Sequence, residues 1–209
     1  MRSERICCAL KRWPVGVQVS QFMWGHMRFG MMFAIFVLVV PPGQAQADQT
    51  DPRLGALFET LAQTADADDA TGLVQRIMRI WRDPGSPSID LLMTRALKAA
   101  DGEDYVLALK HLDDVVDLAP DYADGWFNRG SVYYLTDRYD LAVPDFERAL
   151  ALEPRHFIAW EGLGQIYLET GRQAQALTAF RRARALDPSL KGVGKKIQRL
   201  EKQVEGQGI

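Results

Sequence analysis

Seven residues recur at one fixed offset, and that offset constrains the chain more than any other feature. Trp126, Gly130, Tyr133, Ala142, Phe146, Ala149 and Pro154 return 34 residues later as Trp160, Gly164, Tyr167, Ala176, Phe180, Ala183 and Pro188. A period of this length holds two helices and two turns, so each period reads as one helical hairpin. A single hairpin cannot cover its own apolar face, whereas stacked hairpins bury a continuous core. The expected fold is all-α: a solenoid of about four helix-turn-helix hairpins, closed by a C-terminal capping helix.

The units run 55–88, 89–122, 123–156 and 157–190. In the first, Phe58 falls where Leu92, Trp126 and Trp160 fall, and Ala62 where Ala96, Gly130 and Gly164 fall. The match then degrades. Val74 replaces the small Ala108, Ala142 and Ala176, and Trp81 replaces Val115, Ala149 and Ala183. Large residues in small slots cannot pack as the other units do, which suits a terminal, capping unit. Thr64 to Asp69 reads as its turn, and Asp83-Pro84-Gly85-Ser86-Pro87 ends it. In the regular units Gly130 and Gly164 are expected to face Ala142 and Ala176, bringing paired helices close. Pro144 interrupts an otherwise strong helical stretch, which predicts a kink or a restart near Val143. Leu190, Val193, Ile197, Leu200 and Val204 form one apolar stripe on the capping helix, 190–205, and the last residues, 205–209, read as a frayed end.

The first 47 residues read as an address. Phe29 to Val40 is uncharged and follows Arg28. At 12 residues it is too short for a bilayer-spanning helix. Pro41-Pro42-Gly43 follows, then Ala45-Gln46-Ala47, with small residues where a signal peptidase reads. The expectation is a signal peptide cleaved after Ala47 and a mature domain, 48–209, in a bacterial periplasm. The lead before Met27 is long for this role, so translation starts either at Met27 or at Met1 with an extended basic region. An uncleaved anchor is the third reading, and the only membrane contact expected. No cysteine follows the apolar run, which argues against a lipoprotein. Cys7 and Cys8 lie in this leader, so the mature chain offers no disulfide or cysteine chemistry.

These residues resemble the tetratricopeptide repeat family, strongly over 123–190, well over 89–122 and weakly over 55–88. The resemblance implies a right-handed superhelix whose concave groove, lined by the first helix of each repeat, binds peptides or protein surfaces. It places Asp90, Met93, Thr94 and Leu97, then Asp124, Phe127, Asn128, Ser131 and Tyr134, then Ile158, Glu161, Gln165 and Leu168 in that groove. One subfamily clamps a C-terminal carboxylate with Lys, Asn and Arg. Asn128 fits one such position, but Ile158 and Gly162 stand where basic residues belong, so that clamp is not expected.

Chemistry is sparse. Composition is ordinary for a globular protein, with 25% charged residues. Losing the leader removes five of 25 basic residues and one of 27 acidic ones, moving the net charge from −2 to −6. Residues 172–209 carry nine basic and three acidic side chains, so the mature chain is electrically polar along its length. That suits a basic ligand in the groove and an acidic partner at the far end; nucleic acid is not an expected partner. His111 and His156 read as surface groups near Asp114 and Glu153. Asp66, Asp68 and Asp69 lack the glycine and distal glutamate of a calcium loop. No catalytic constellation or cofactor motif is present. The expected function is a non-enzymatic interaction scaffold in the cell envelope. The alternative is an accessory subunit of an envelope assembly complex, of outer-membrane or cytochrome maturation type, docking through its basic end.

Overall fold

The computed structural model describes residues 51–64 and 66–205. The leader, the proposed cleavage site and residues 206–209 lie outside them. The described residues are all-helical: α1 (Arg53–Gln63), α2 (Ala67–Trp81), α3 (Pro87–Asp101), α4 (Tyr105–Leu118), α5 (Ala123–Leu135), α6 (Tyr139–Leu152), α7 (Phe157–Glu169), α8 (Gln173–Leu186) and α9 (Val193–Glu205). Helices α3–α4, α5–α6 and α7–α8 pair as hairpins, α4 packs on α5, α6 on α7, and α9 on α8. This is a helical solenoid.

The repeat is visible in individual hydrogen bonds. Trp126 Nε1 donates to the Pro120 carbonyl at 3.0 Å, and Trp160 Nε1 to the Pro154 carbonyl at 3.0 Å. Each hairpin turn passes through one left-handed residue, at Glu103 (φ 59°), Asp137 (φ 58°) and Gly171 (φ 73°). The following amide then reaches back to the first helix: Asp104 to Ala99, Arg138 to Tyr133 and Arg172 to Tyr167. That bond satisfies a helix-end carbonyl that would otherwise lack a partner. Only Gly171 is free of steric cost there; a residue with Cβ pays roughly 1–2 kcal/mol. Glu103→Gly should therefore stabilise the protein by about 0.5–1 kcal/mol after the added unfolded-state entropy, raising Tm by about 2 °C in a thermal melt.

The glycines make room for rings rather than for the alanines expected. A Cβ on Gly164 would stand 2.7 Å from the Phe180 ring, and one on Gly130 3.1 Å from the Phe146 ring and from Asp145 Cβ. Phe146 and Phe180 are the bulky residues that fill each hairpin, so glycine opposite them sets the helix separation. Helix α6 runs unbroken through Pro144, which is exposed; the restart near Val143 does not occur. Helix α9 buries Val193, Ile197 and Leu200 against Ala176, Leu177 and Phe180, as its stripe requires. Asp66 caps α2, accepting from the Asp68 and Asp69 amides, and those bonds hold its carboxyl below the usual range.

The α1–α2 hairpin is seated along the inter-repeat turns. Its core (Leu54, Leu57, Leu61, Leu73, Ile77, Ile80, Trp81) extends to Phe157, Ile158, Leu186 and Leu190, and α1 touches α8. Three residues spaced by the repeat receive it. Tyr122 donates its hydroxyl to the Arg82 carbonyl at 3.0 Å. The His156 ring stacks on Trp81 at 4.5 Å, and Leu190 joins the apolar cluster. Val74 and Trp81, the oversized residues of this unit, fill that cluster instead of an alanine seam.

Candidate functional site

The α-helix's 100° advance per residue divides α7 into two faces. Ile158, Glu161, Gly162 and Gln165 fall on one, and Trp160, Leu163 and Tyr167 on the other. The first face meets α5 at a pocket of about 230 Å³ lined also by Phe127, Ser131, Tyr134, Phe146 and Lys196. Its floor is apolar. Phe127 and Phe146 lie 5.9 Å apart, and a Cβ on Gly162 would come within 2.9 Å of the Phe146 ring. Glycine at this position lets the ring form the floor.

One wall is a chain of polar contacts. Tyr134 donates its hydroxyl to Glu169 Oε1 at 2.9 Å, Gln165 Nε2 donates to the same oxygen at 2.6 Å, and Lys196 Nζ donates to Gln165 Oε1 at 2.9 Å. Lys196 Nζ also lies 3.8 Å from Glu161 Oε1 and 5.0 Å from the Phe180 ring centre. Burial opposes charge on Glu169, yet the bonds from Gln165, Tyr139 and Tyr134, with the Lys196 charge, hold it below the usual carboxylate range. Burial and the Glu169 bond push Tyr134 up to about 12, so it stays a donor at physiological pH.

The sequence-derived groove residues divide. Phe127, Ser131, Tyr134, Ile158, Glu161 and Gln165 meet in the pocket. Leu168 packs toward α9. Met93 is buried in the α3–α4 core and is not a groove surface. Asp90, Thr94 and Leu97 are exposed on α3, outside that pocket. Asp124 is buried. It accepts from Asn128 Nδ2 at 3.0 Å, and its Oδ1 faces His156 Nε2 at 3.7 Å.

His156 is not the surface group expected. It is fully buried, between Trp81 and the Phe127 ring, each 4.5 Å away. Its Nδ1 accepts the Ala159 amide at 3.2 Å, capping α7. Glu153, read as its neighbour, instead accepts from the Arg155 guanidinium and from Trp81 Nε1. The sequence-derived groove residues do not include Lys196, which lines the pocket, or Glu169, which ties Tyr134 to Gln165 beside it. Lys196 borders the α9 apolar stripe, and Glu169 is the last residue of α7; both signals were present but unspecific.

The tetratricopeptide repeat family profile matches residues 93–147 and 136–190. Residues 93–190 are tetratricopeptide repeats. A TPR repeat-containing protein of Rhizobium etli is 36% identical over 93 residues, which are 44% of this chain and 46% of that protein; the chain thus spans about half of that relative's length. Among solved structures, MamA aligns with TM-score 0.54 at 20% identity over 71% of this chain and 84% of its own. The first TPR of Spaghetti (RPAP3), bound to the HSP90 peptide SRMEEVD, aligns with TM-score 0.54 at 18% identity over 56% and 93%. Likeness at this identity speaks for the fold. Tetratricopeptide repeats present surfaces for protein interaction, and the α5–α7 pocket lies on the repeats' first helices.

Proposed function

We propose that this protein is a non-enzymatic scaffold of the bacterial cell envelope whose α5–α7 pocket holds an extended segment of a protein partner. The observation that carries the reading is the pocket's composition: an apolar floor of Phe127, Phe146 and Ile158 beside a wall that presents Glu161, Gln165 and Lys196. An apolar side chain fits the floor, and the polar ends of Glu161, Gln165 and Lys196 suit the backbone and polar groups of the segment beside it, the ordinary division of labour in a peptide site. The peptide carried by the Spaghetti repeat supports a peptide ligand in general. With Ile158 and Gly162 standing where a carboxylate clamp needs basic residues, recognition here does not rest on such a clamp.

Affinity capture from an envelope extract tests it. A partner held by the native protein should be lost with Phe127→Ala and Glu161→Arg, with affinity lower by about tenfold or more for each; retention by both variants removes the pocket from consideration. Export rests on the leader's pattern alone. The mature protein in the periplasmic fraction should begin at Asp48 by N-terminal sequencing; an intact leader there would contradict cleavage.

A second reading follows from α9. Lys195, Arg199 and Lys202 are exposed and lie opposite Val193, Ile197 and Leu200 at helical spacing, and Lys191 is exposed just before the helix. This basic face suits docking on an acidic subunit of an assembly complex. Lys195→Glu with Arg199→Glu should then abolish capture while Phe127→Ala leaves it intact.

A further inference from the structure

The other face of α7 opens into a furrow between α6 and α8, with a volume of about 560 Å³. Glu147, Leu150, Trp160, Leu163, Tyr167 and Ala179 are among its walls. The repeat supplies a comparison from within the same chain. Thirty-four residues earlier the same positions are Asp113, Val116, Trp126, Arg129, Tyr133 and Asp145, and there the furrow is filled.

The central occupant is Arg129, with Arg148 at the edge, 5.9 Å from the Trp126 ring centre. The Arg129 guanidinium sits 4.9 Å from the Trp126 ring centre and 5.9 Å from that of Tyr133. It pairs with Asp145 through two bonds of 2.8 Å and with Asp113 at 2.9 Å. In the second furrow Leu163 and Ala179 replace Arg129 and Asp145, which removes both the cation and its buried counter-ion. The rest of the cradle persists. Trp160 is fixed by the same indole bond to a proline carbonyl as Trp126. The Tyr167 ring is backed by Arg172 at 4.4 Å, as Tyr133 is by Arg138 at 4.7 Å. Glu147 keeps the acidic position of Asp113, and its charge contributes, after burial, to holding the Tyr167 phenol above its usual range. Among the described residues no cation lies over Trp160.

We propose that this furrow docks an arginine side chain on a segment of a protein partner. Trp160 and Tyr167 would cover the guanidinium faces, Glu147 would pair with it, and Leu150 and Leu163 would carry its aliphatic stem. Arginine suits the site better than lysine because a planar, weakly hydrated guanidinium stacks on aromatic faces, as Arg129 does next door. The furrow also exceeds an arginine side chain in volume, leaving room for the flanking backbone. It lies on the opposite face of α7 from the α5–α7 pocket, so the two proposals stand or fall separately.

The test uses a peptide with blocked termini and one arginine among small residues, and its twin with citrulline in place of the arginine. Binding is followed by the tryptophan indole N–H resonances of the whole protein. The arginine peptide should shift Trp160 and leave Trp126 in place, and citrulline should not. Glu147 is exposed, so Glu147→Gln should weaken binding by about threefold, the scale of an exposed ion pair. Leu163→Arg with Ala179→Asp, which installs the internal occupant, should abolish it, while Glu161→Arg, on the opposite face of α7 and outside the shared apolar cluster, should not affect it. The proposal is overturned if Trp160 does not respond at millimolar peptide, if the citrulline twin binds equally, if Glu147→Gln is without effect, or if Glu161→Arg removes the binding.

Discussion

Trp81→Ala should cost about 4 kcal/mol, the range for truncating a buried tryptophan. Trp81 is 2% exposed. It stacks on His156, lies 5.3 Å from Phe157 and 5.9 Å from Phe58, and donates its indole N–H to Glu153 at 3.3 Å. Truncation leaves a cavity where the α1–α2 hairpin meets the inter-repeat turns and removes one donor from the buried Glu153 carboxylate. The loss should also be local. Amide exchange should accelerate throughout α1 and α2, whereas α3 to α8 keep most of their protection, because stacked repeats hold one another through neighbour contacts. Trp81→Phe keeps ring contact with His156 and Phe157 and loses the Glu153 bond, so it should cost only about 1–2 kcal/mol. A Trp81→Ala variant within 1 kcal/mol of the parent in urea unfolding would show that the hairpin is held elsewhere, by the α1–α8 contact.

The solenoid was legible because its determinants are local and repeated. Trp126 and Trp160 make the same indole bond, and Gly130 and Gly164 accommodate the equivalent rings of Phe146 and Phe180. One period therefore predicts the next. The seating of the first hairpin was not legible. Leu54, Leu57, Leu61, Leu73, Ile77 and Ile80 announce apolar stripes, but a stripe does not name the surface it meets. That surface is assembled from Tyr122, His156 and Leu190, which share a repeat position and no chemistry. The hydroxyl, the imidazole and the aliphatic chain each find a different partner on the hairpin or beside it.

The groove was half legible for a related reason. Helical spacing places Phe127, Ser131 and Tyr134 on one face of α5, and the structure finds them together. Asp124 lies on that face too. It is covered because His156 and Asn128 close over it, and His156 is pinned in turn by Trp81. Met93 is likewise drawn into the core by Ile89, Leu112 and Tyr122. Burial at such border positions depends on what an adjacent element contributes, and no single repeat carries that information. Lys196 enters from α9, outside the repeat altogether.

Arg129→Leu should lose about 3 kcal/mol, since it strands the Asp145 carboxylate, 5% exposed, without the guanidinium that binds both its oxygens. The Asp113 contact adds little to this, because Asp113 is half-exposed. Asp145→Ala should cost about 2 kcal/mol, since Arg129 keeps Asp113 and its aromatic cover. The two changes together should cost no more than about 1 kcal/mol, because no buried charge is then left unpaired. The chain already contains the outcome: Leu163 and Ala179 occupy the same two positions one repeat later, with Leu163 and Ala179 both buried. Urea midpoints for the parent, the two single variants and the double variant give the coupling directly, and simple additivity would rule out the charge-stranding account. The double variant has a second consequence. With Arg129 gone, the furrow of Trp126 and Tyr133 loses its central guanidinium and keeps Asp113, with Arg148 at its edge 5.9 Å from the Trp126 ring centre, so the arginine peptide that shifts the Trp160 indole should now shift that of Trp126 as well, by less. A response confined to Trp160 would mean that the cradle depends on Glu147, Leu150 and Leu163 in ways the earlier repeat cannot reproduce.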